Sequence, residues 1–198
     1  MRYPAHLMQL ILMFKKLPGV GNRSAERFAF HLLNWNQKEL SELGRLIGSF
    51  TDQMIPCAEC GCLQVDDGCP FCQSAQRDRK VICIIATPKD AFSIEETGEY
   101  KGLYHVLGSL LSPLDKRGPQ QLGCEALKKR ISLLGVEEII IGLDATLEGD
   151  ATALFLKEEL AAYSLRISRL AFGLPMGSSF DYVDGGTLAR AFAGRGFF

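Results

Sequence analysis

The stretch IIIGLDATLEGDATAL, residues 139–154, decides how the chain is read. Ile139 to Leu143 is a short apolar run of the kind that forms a strand buried in a sheet. Three acids, Asp144, Glu148 and Asp150, stand at its exit, and the pattern then turns helical. Carboxylates at the C-terminal end of a strand in an α/β sheet are the usual setting for metal-dependent phosphoryl-transfer chemistry. The same acids also suit the first turn of a helix, where negative charge meets the positive end of the helix dipole. The stretch alone leaves both readings open.

The segments around it repeat the pattern. VICIIA (81–86), LYHVLGS (103–109) and LRISRLAF (165–172) read as further strands beside EEIIIGL (137–143). Helical patterns cover about residues 88–97, 124–135 and 150–163, and a loop with two prolines spans 110–123. Strands that alternate with helices predict a parallel sheet covered on both faces over residues 81–172. Residues 173–198, GLPMGSSFDYVDGGTLARAFAGRGFF, read as a glycine-rich loop and one short helix. Residues 1–54 read as helical throughout. Leu7, Leu10, Ile11, Phe14 and Leu17 recur at helical spacing, as do Ala25, Phe28, Ala29, Leu32 and Leu33. A third helix carries Leu40, Leu43, Leu46, Ile47, Phe50 and Met54.

Composition bounds the rest. The chain has 198 residues, 47% hydrophobic and 23% charged, which are ordinary globular values. No apolar run is long enough to span a bilayer, and the amino end lacks a cleavage signal, so a cytoplasmic protein with no membrane role is expected. The net charge of −1 excludes a uniformly basic nucleic-acid binder. Its distribution is uneven. Residues 1–30 carry Arg2, Lys15, Lys16, Arg23 and Arg27 against Glu26, for +4, whereas residues 90–160 sum to −6. One face for polyanions and another for a different partner would explain the asymmetry, and so would chance clustering of solvated charges.

Residues 55–80 hold four cysteines in the spacing C-x2-C-x8-C-x2-C: Cys57, Cys60, Cys69 and Cys72. A C-x2-C turn aims two thiolates at one point, and two such turns complete a tetrahedral Zn²⁺ site. Disulfides are the weaker explanation in a cytosolic chain. With all four positions filled by protein, such a zinc, one per chain, is structural and replaces the core that this aliphatic-poor segment lacks. Cys62 is an awkward fifth candidate, and Cys83 and Cys124 read as packing residues.

LPGVGNRSAERFAFHLL places Gly19, Val20 and Gly21 between two helices. Glycines let the backbone approach a ligand, and the following helix offers N–H groups to a phosphate. Arg23 and Arg27 share one face of that helix, and Lys15 and Lys16 end the preceding one. A plain interhelical turn with solvated arginines is the alternative. With Ala25, the turn resembles the helix-hairpin-helix motif of proteins that bind DNA without reading its sequence. Lys15, Lys16, Gly19, Gly21, Arg23 and Arg27 are the DNA-contact candidates.

GLDATLEGDA in turn resembles the Toprim domain of type IA topoisomerases, bacterial primases and related nucleases. The topoisomerase form runs Asp-x-Asp-x-Glu-Gly-Glu after an apolar strand. Asp144, Glu148, Gly149 and Asp150 fit it, but Thr146 stands at the second Asp. The family's Glu at the end of the first strand falls on Ala86 or Thr87, with Asp90 the nearest acid. Neither alanine nor threonine supplies the carboxylate that a Mg²⁺ clamp of this type and an ionisable general base require. The departures argue against the alternative of a Toprim-type Mg²⁺-dependent nuclease, primase or topoisomerase-like enzyme.

The order of these parts, together with TGEYKGLYHVLGSLLSPLDKRGP and GLPMGSSFDYVDGGTLARAF, resembles the bacterial RecR family of recombination mediators over essentially the whole chain. The resemblance implies a multi-domain α/β protein: a helix-hairpin-helix domain (1–54), a four-cysteine zinc motif (55–80), a Toprim-like parallel α/β domain (81–172) and a C-terminal loop and short helix for oligomerisation (173–198). It implies a non-enzymatic DNA repair protein that closes into a ring-like clamp, commonly a homo-tetramer. With RecO, and in many bacteria RecF, the clamp helps load RecA recombinase onto single-stranded DNA coated by single-strand-binding protein. Asp90, Asp144, Glu148 and Asp150 would form the acidic surface that faces RecO.

Overall fold

The computed structural model describes residues 3–64, 68–113 and 115–196; Arg2 and the two phenylalanines that end the chain lie outside them. The chain divides into two compact units, Met1–Met54 and Ile55–Phe198.

The first unit holds three helices, α1 (Ala5–Phe14), α2 (Asn22–Leu32) and α3 (Gln37–Gln53). Its core is Ile11 of α1 against Ala25 and Ala29 of α2, with Leu7, Leu10, Phe14 and Val20 packed around them. Alanines one turn apart bring the two helix backbones close. A reciprocal cap starts α3: the Glu39 N–H donates to Asn36 Oδ1 and the Asn36 N–H donates to Glu39 Oε2, both at 3.0 Å. The apolar stripe of α3 lies on the surface of the unit. No residue of α3 is buried, and Leu46, Ile47 and Phe50 are 48%, 66% and 60% exposed. Leu17 and Leu33 are exposed as well. The core of this unit is three buried residues with four partners, too little to cover three amphipathic helices.

The second unit is built on β1 (Asp78–Ile85), β2 (Gly102–Val106), β3 (Glu138–Gly142) and β4 (Arg166–Arg169). Helices α4 (Pro88–Glu95), α5 (Cys124–Leu134), α6 (Leu147–Glu159) and α7 (Gly185–Ala193) accompany them. All pairings are parallel, in the order β2-β1-β3-β4. Strand alternation divides the core. Ile82, Ile84, Leu103, Ile139 and Ile141 pack with Leu127 and Ile131 of α5 and Leu156 of α6. Cys83, Ile85 and Tyr104 face the other way, toward Ala91 of α4 and the cysteine segment.

Several boundaries differ from those expected. The strand expected over 165–172 ends at Arg169, because its only neighbour, β3, stops at Gly142. The strand expected over 103–109 ends at Val106, the last residue paired with β1. Helix α6 begins at Leu147 rather than at 150, because Thr146 caps it: Thr146 Oγ1 accepts the Gly149 N–H at 3.1 Å.

The cysteine segment has no core of its own and joins that of the sheet. Cys57, Cys60, Cys62, Cys69, Phe71 and Cys72 share one buried cluster with Cys83, Ile85 and Tyr104. The Val106 N–H donates to the Cys60 carbonyl at 2.7 Å, so the segment covers the free edge of β2. Gly61 makes this approach possible. Its φ is +76°, and a Cβ there would stand 2.9 Å from Val106 Cβ. Gly61→Ala is therefore expected to destabilise the second unit by about 1–3 kcal/mol in urea unfolding. Gly48→Ala, on open surface within α3, is expected to leave stability unchanged or raise it by up to about 1 kcal/mol. Equal stability of the two variants would show that the Cys60–Val106 approach carries no weight.

Candidate functional site

The hairpin of the first unit brings together every residue singled out there. Lys15 caps the C-terminal end of α1, and Lys16 follows in the same turn. Gly19 has φ +78°, a left-handed conformation that a side chain would strain. The Val20 N–H then donates to the Leu17 carbonyl at 3.1 Å, and the Val20 side chain reaches the α1–α2 core. Gly21 is the N-cap of α2, so no side chain caps the first turn and its leading N–H groups lack a helical acceptor. A Cβ on Gly19 or Gly21 would meet nothing within 4 Å, so the turn is open to a ligand. Lys15, Lys16, Arg23 and Arg27 are exposed, and among the described residues none of them pairs with an acid. Uncapped N–H groups, a positive helix end and four free cations make a surface that can hold phosphates but carries no group aimed at reading bases.

In the second unit Cys57, Cys60, Cys69 and Cys72 bring their sulfurs within 4.8 Å of one another, all buried. Cys60 and Cys69 stand 3.5 Å apart. Four sulfurs bound to one tetrahedral ion at about 2.3 Å would be about 3.8 Å apart, so the donor set fits a single metal ion. Hydrogen bonding from the Cys62 thiol, then from Cys72, pulls Cys60 far below the ordinary thiol value. Cys62 is raised by the same bond and by burial, which keeps it a protonated neighbour. Burial pushes Cys83 up to about 12, as suits an inert packing thiol. Burial also lowers His105, on β2, to about 4, so its imidazole is neutral near pH 7.

The C-terminal ends of β1, β2 and β3 border a cavity of about 340 Å³. Asp144 and Glu148 line it with Thr87, Ser109, Arg117 and Thr146. The other two acids are held apart from it. Asp90 sits in the first turn of α4 and accepts the Thr87 N–H at 2.7 Å. Asp150 accepts one hydrogen bond from Arg169 and one from Arg190, each at 2.7 Å. Both guanidinium groups also lie over the Phe172 ring, at 4.4 and 5.2 Å from its centroid. Asp150 thereby joins α6, β4 and α7. Arg169 and Arg190 did not stand out in the sequence, nor did Arg130, whose guanidinium lies 3.3 Å from Cys72 Sγ. The spacing between partners, 19, 40 and 58 residues, leaves no local signal.

Known proteins resemble the chain along its whole length. Residues 7–50 match the family model described as RecR, helix-hairpin-helix; residues 80–171 match the Toprim domain; residues 173–195 match RecR, C-terminal. The chain is 62% identical to recombination protein RecR of Protochlamydia amoebophila over 198 residues, covering 100% of both. It is 51% identical to recombination protein RecR of Chlamydia caviae over 197 residues, 98% of each, and 46% identical to that of Chlamydia trachomatis serovar D over 200 residues, 100% of each. Among the described residues no helix is long and apolar enough to cross a membrane.

Arg169, with Arg190 adding to it, holds the Asp150 carboxyl below its ordinary range. A carboxylate lowered by folding contributes stability above its unfolded value and loses it as pH falls through the folded one. Hydrogen exchange of the α7 amides is expected to be slow near neutral pH and to speed up as the solution is acidified below the ordinary aspartate range. Asp150→Asn should show the fast exchange already at pH 7. Unchanged protection of residues 185–193 in that variant would sink the tether.

Proposed function

Because the chain belongs to the RecR family of recombination proteins, we propose that it acts in DNA repair and recombination as a non-enzymatic mediator. On this reading it binds DNA through residues 1–54, in a ring-like clamp of several copies. With RecO, and in some settings RecF, it helps load RecA onto single-stranded DNA coated by single-strand-binding protein. The observation that carries the reading is the hairpin at Gly19–Gly21, where uncapped N–H groups and four exposed cations converge on an open turn. Such contacts neutralise phosphates without distinguishing bases, so binding is non-sequence-specific and weakened by salt.

The remaining assignments follow from the same reading. Residues 55–80 hold one structural Zn²⁺ per chain through Cys57, Cys60, Cys69 and Cys72. The ion orders the segment and leaves no position open to a substrate. Residues 81–172 serve as the Toprim-like platform. Asp144 and Glu148 are its free acids, and they belong to the surface offered to RecO. Asp90 and Asp150 support that surface by holding α4 and α6 in place. Two acids, with Ala86 or Thr87 and Thr146 where the family has its other carboxylates, are a poor Mg²⁺ clamp, which favours binding over catalysis. The exposed apolar side of α3 and residues 173–198 supply the contacts between copies, for which a tetramer is the expected closed form.

Replacing Arg23 and Arg27 together by Ala should weaken DNA binding at all sequences alike. It should also flatten the log–log salt slope by about 1.4–1.8, the share of two phosphate contacts. Unchanged affinity and slope would remove the hairpin from the interface. Light scattering at micromolar concentration should give about four times the chain mass, with α3 variants Ile47→Glu or Phe50→Glu giving smaller species. A strict monomer would overturn the clamp.

A further inference from the structure

Arg130 is a buried cation without an acid. It lies on α5 and is 6% exposed. Its NH1 donates to the Tyr104 carbonyl of β2, and its NH2 lies 3.3 Å from Cys72 Sγ. Its Nε has no partner. Among the described residues no carboxylate forms an ion pair with it. A guanidinium does not lose its proton at any ordinary pH, so burial has to be offset by a nearby negative charge. The nearby His105 cannot supply one, and its Nδ1 is itself unpartnered. Glu59 lines the cavity beside Arg130 without pairing with it, so the negative charge in contact with the guanidinium is on sulfur.

A divalent ion held by four thiolates carries a net charge of −2, and here the four sulfurs are buried. The two imbalances sit side by side and cancel in part. We propose that Arg130 is a positioning residue of the metal centre: its NH2 donates to the metal-bound Cys72 sulfur and offsets part of the excess negative charge. Its NH1 anchors that sulfur to β2 through the Tyr104 carbonyl. The second cysteine pair is thereby fastened to α5 and β2, while the first is fastened to β2 through the Cys60–Val106 bond. A cavity of about 510 Å³ lined by Cys72, Gln73, Arg79 and Lys129 borders Arg130, so this is the side from which a competing ligand would approach the ion. The proposal rests on the zinc reading above. The competing role is a plain strut that holds the Tyr104 carbonyl and leaves the metal alone.

The test uses the full chain with Arg130→Met and Arg130→Lys. Zinc per chain is measured first by elemental analysis. The rate of zinc removal by a chromophoric chelator follows, and then the sulfur-to-cobalt charge-transfer band of the Co²⁺ form. Arg130→Met is expected to lose zinc about ten- to a hundredfold faster, the range typical of lost outer-shell partners. Its band should move to lower energy, because a thiolate without its donor is more electron-rich. Arg130→Lys, which restores charge and one donor, should bring both readings back toward those of the parent chain. Identical release rates and bands in all three proteins, with only thermal stability reduced, would leave Arg130 a strut and overturn the proposal. Absence of zinc from the parent chain would instead defeat the zinc reading itself. Should Arg130→Met not fold, Arg130→Gln, which keeps an N–H donor without the charge, takes its place: faster zinc release than in the parent chain, with a smaller band shift, is expected, and a parent-like release rate would overturn the proposal.

Discussion

The hydrogen bond from the Val106 N–H to the Cys60 carbonyl, at 2.7 Å, joins two things that would otherwise each be incomplete. Strand β2 is the edge of a four-stranded sheet and needs a cover for its free backbone groups. The cysteine segment has too few aliphatic residues to fold around itself. Placed together, the sulfurs become one side of the sheet's core, in contact with Cys83, Ile85 and Tyr104. The order of the segment and the order of the edge strand are then one event. From that edge the sheet continues through β1 to β3 and β4.

The two units carry charge in opposite ways. In the first, a hairpin presents backbone N–H groups and side-chain cations that nothing in the described chain neutralises. In the second, the polar groups at the strand ends are mostly taken up locally. Thr146 caps α6, Asp90 closes the start of α4, and Asp150 is shared by two arginines. What remains free at the cavity is Asp144 and Glu148 with Thr87, Ser109 and Arg117 around them. The architecture that usually surrounds a metal-dependent site is retained. Two of its four acids, Asp90 and Asp150, hold helices.

Much of this was legible in the sequence. Buried parallel strands declare themselves as apolar runs, and each strand was found within a few residues. The C-x2-C pairs were legible because two thiols at that spacing have few other uses. The start of α6 was placed late because Leu147 is 82% exposed and contributes nothing to an apolar stripe, while the cap that begins the helix is a single hydroxyl. On α3 the regular stripe marked the helix correctly, but periodicity does not say what covers it, and here its apolar residues stay exposed. Arg130, Arg169 and Arg190 were illegible for a different reason. Each acts through a partner far away in the chain, and periodicity carries no information about such pairings.

Asp150 also bears on whether a full acidic centre could be built at the strand ends. Placing carboxylates at Ala86 or Thr87 and at Thr146 would not by itself complete a Toprim cluster. The third acid is already occupied by Arg169 and Arg190, and through them by the placement of α7. Freeing it would loosen the C-terminal helix at the same moment. A chain redesigned to bind metal there would gain that ligand only by giving up the anchor of α7. One carboxylate cannot be both the tether of a helix and a free ligand.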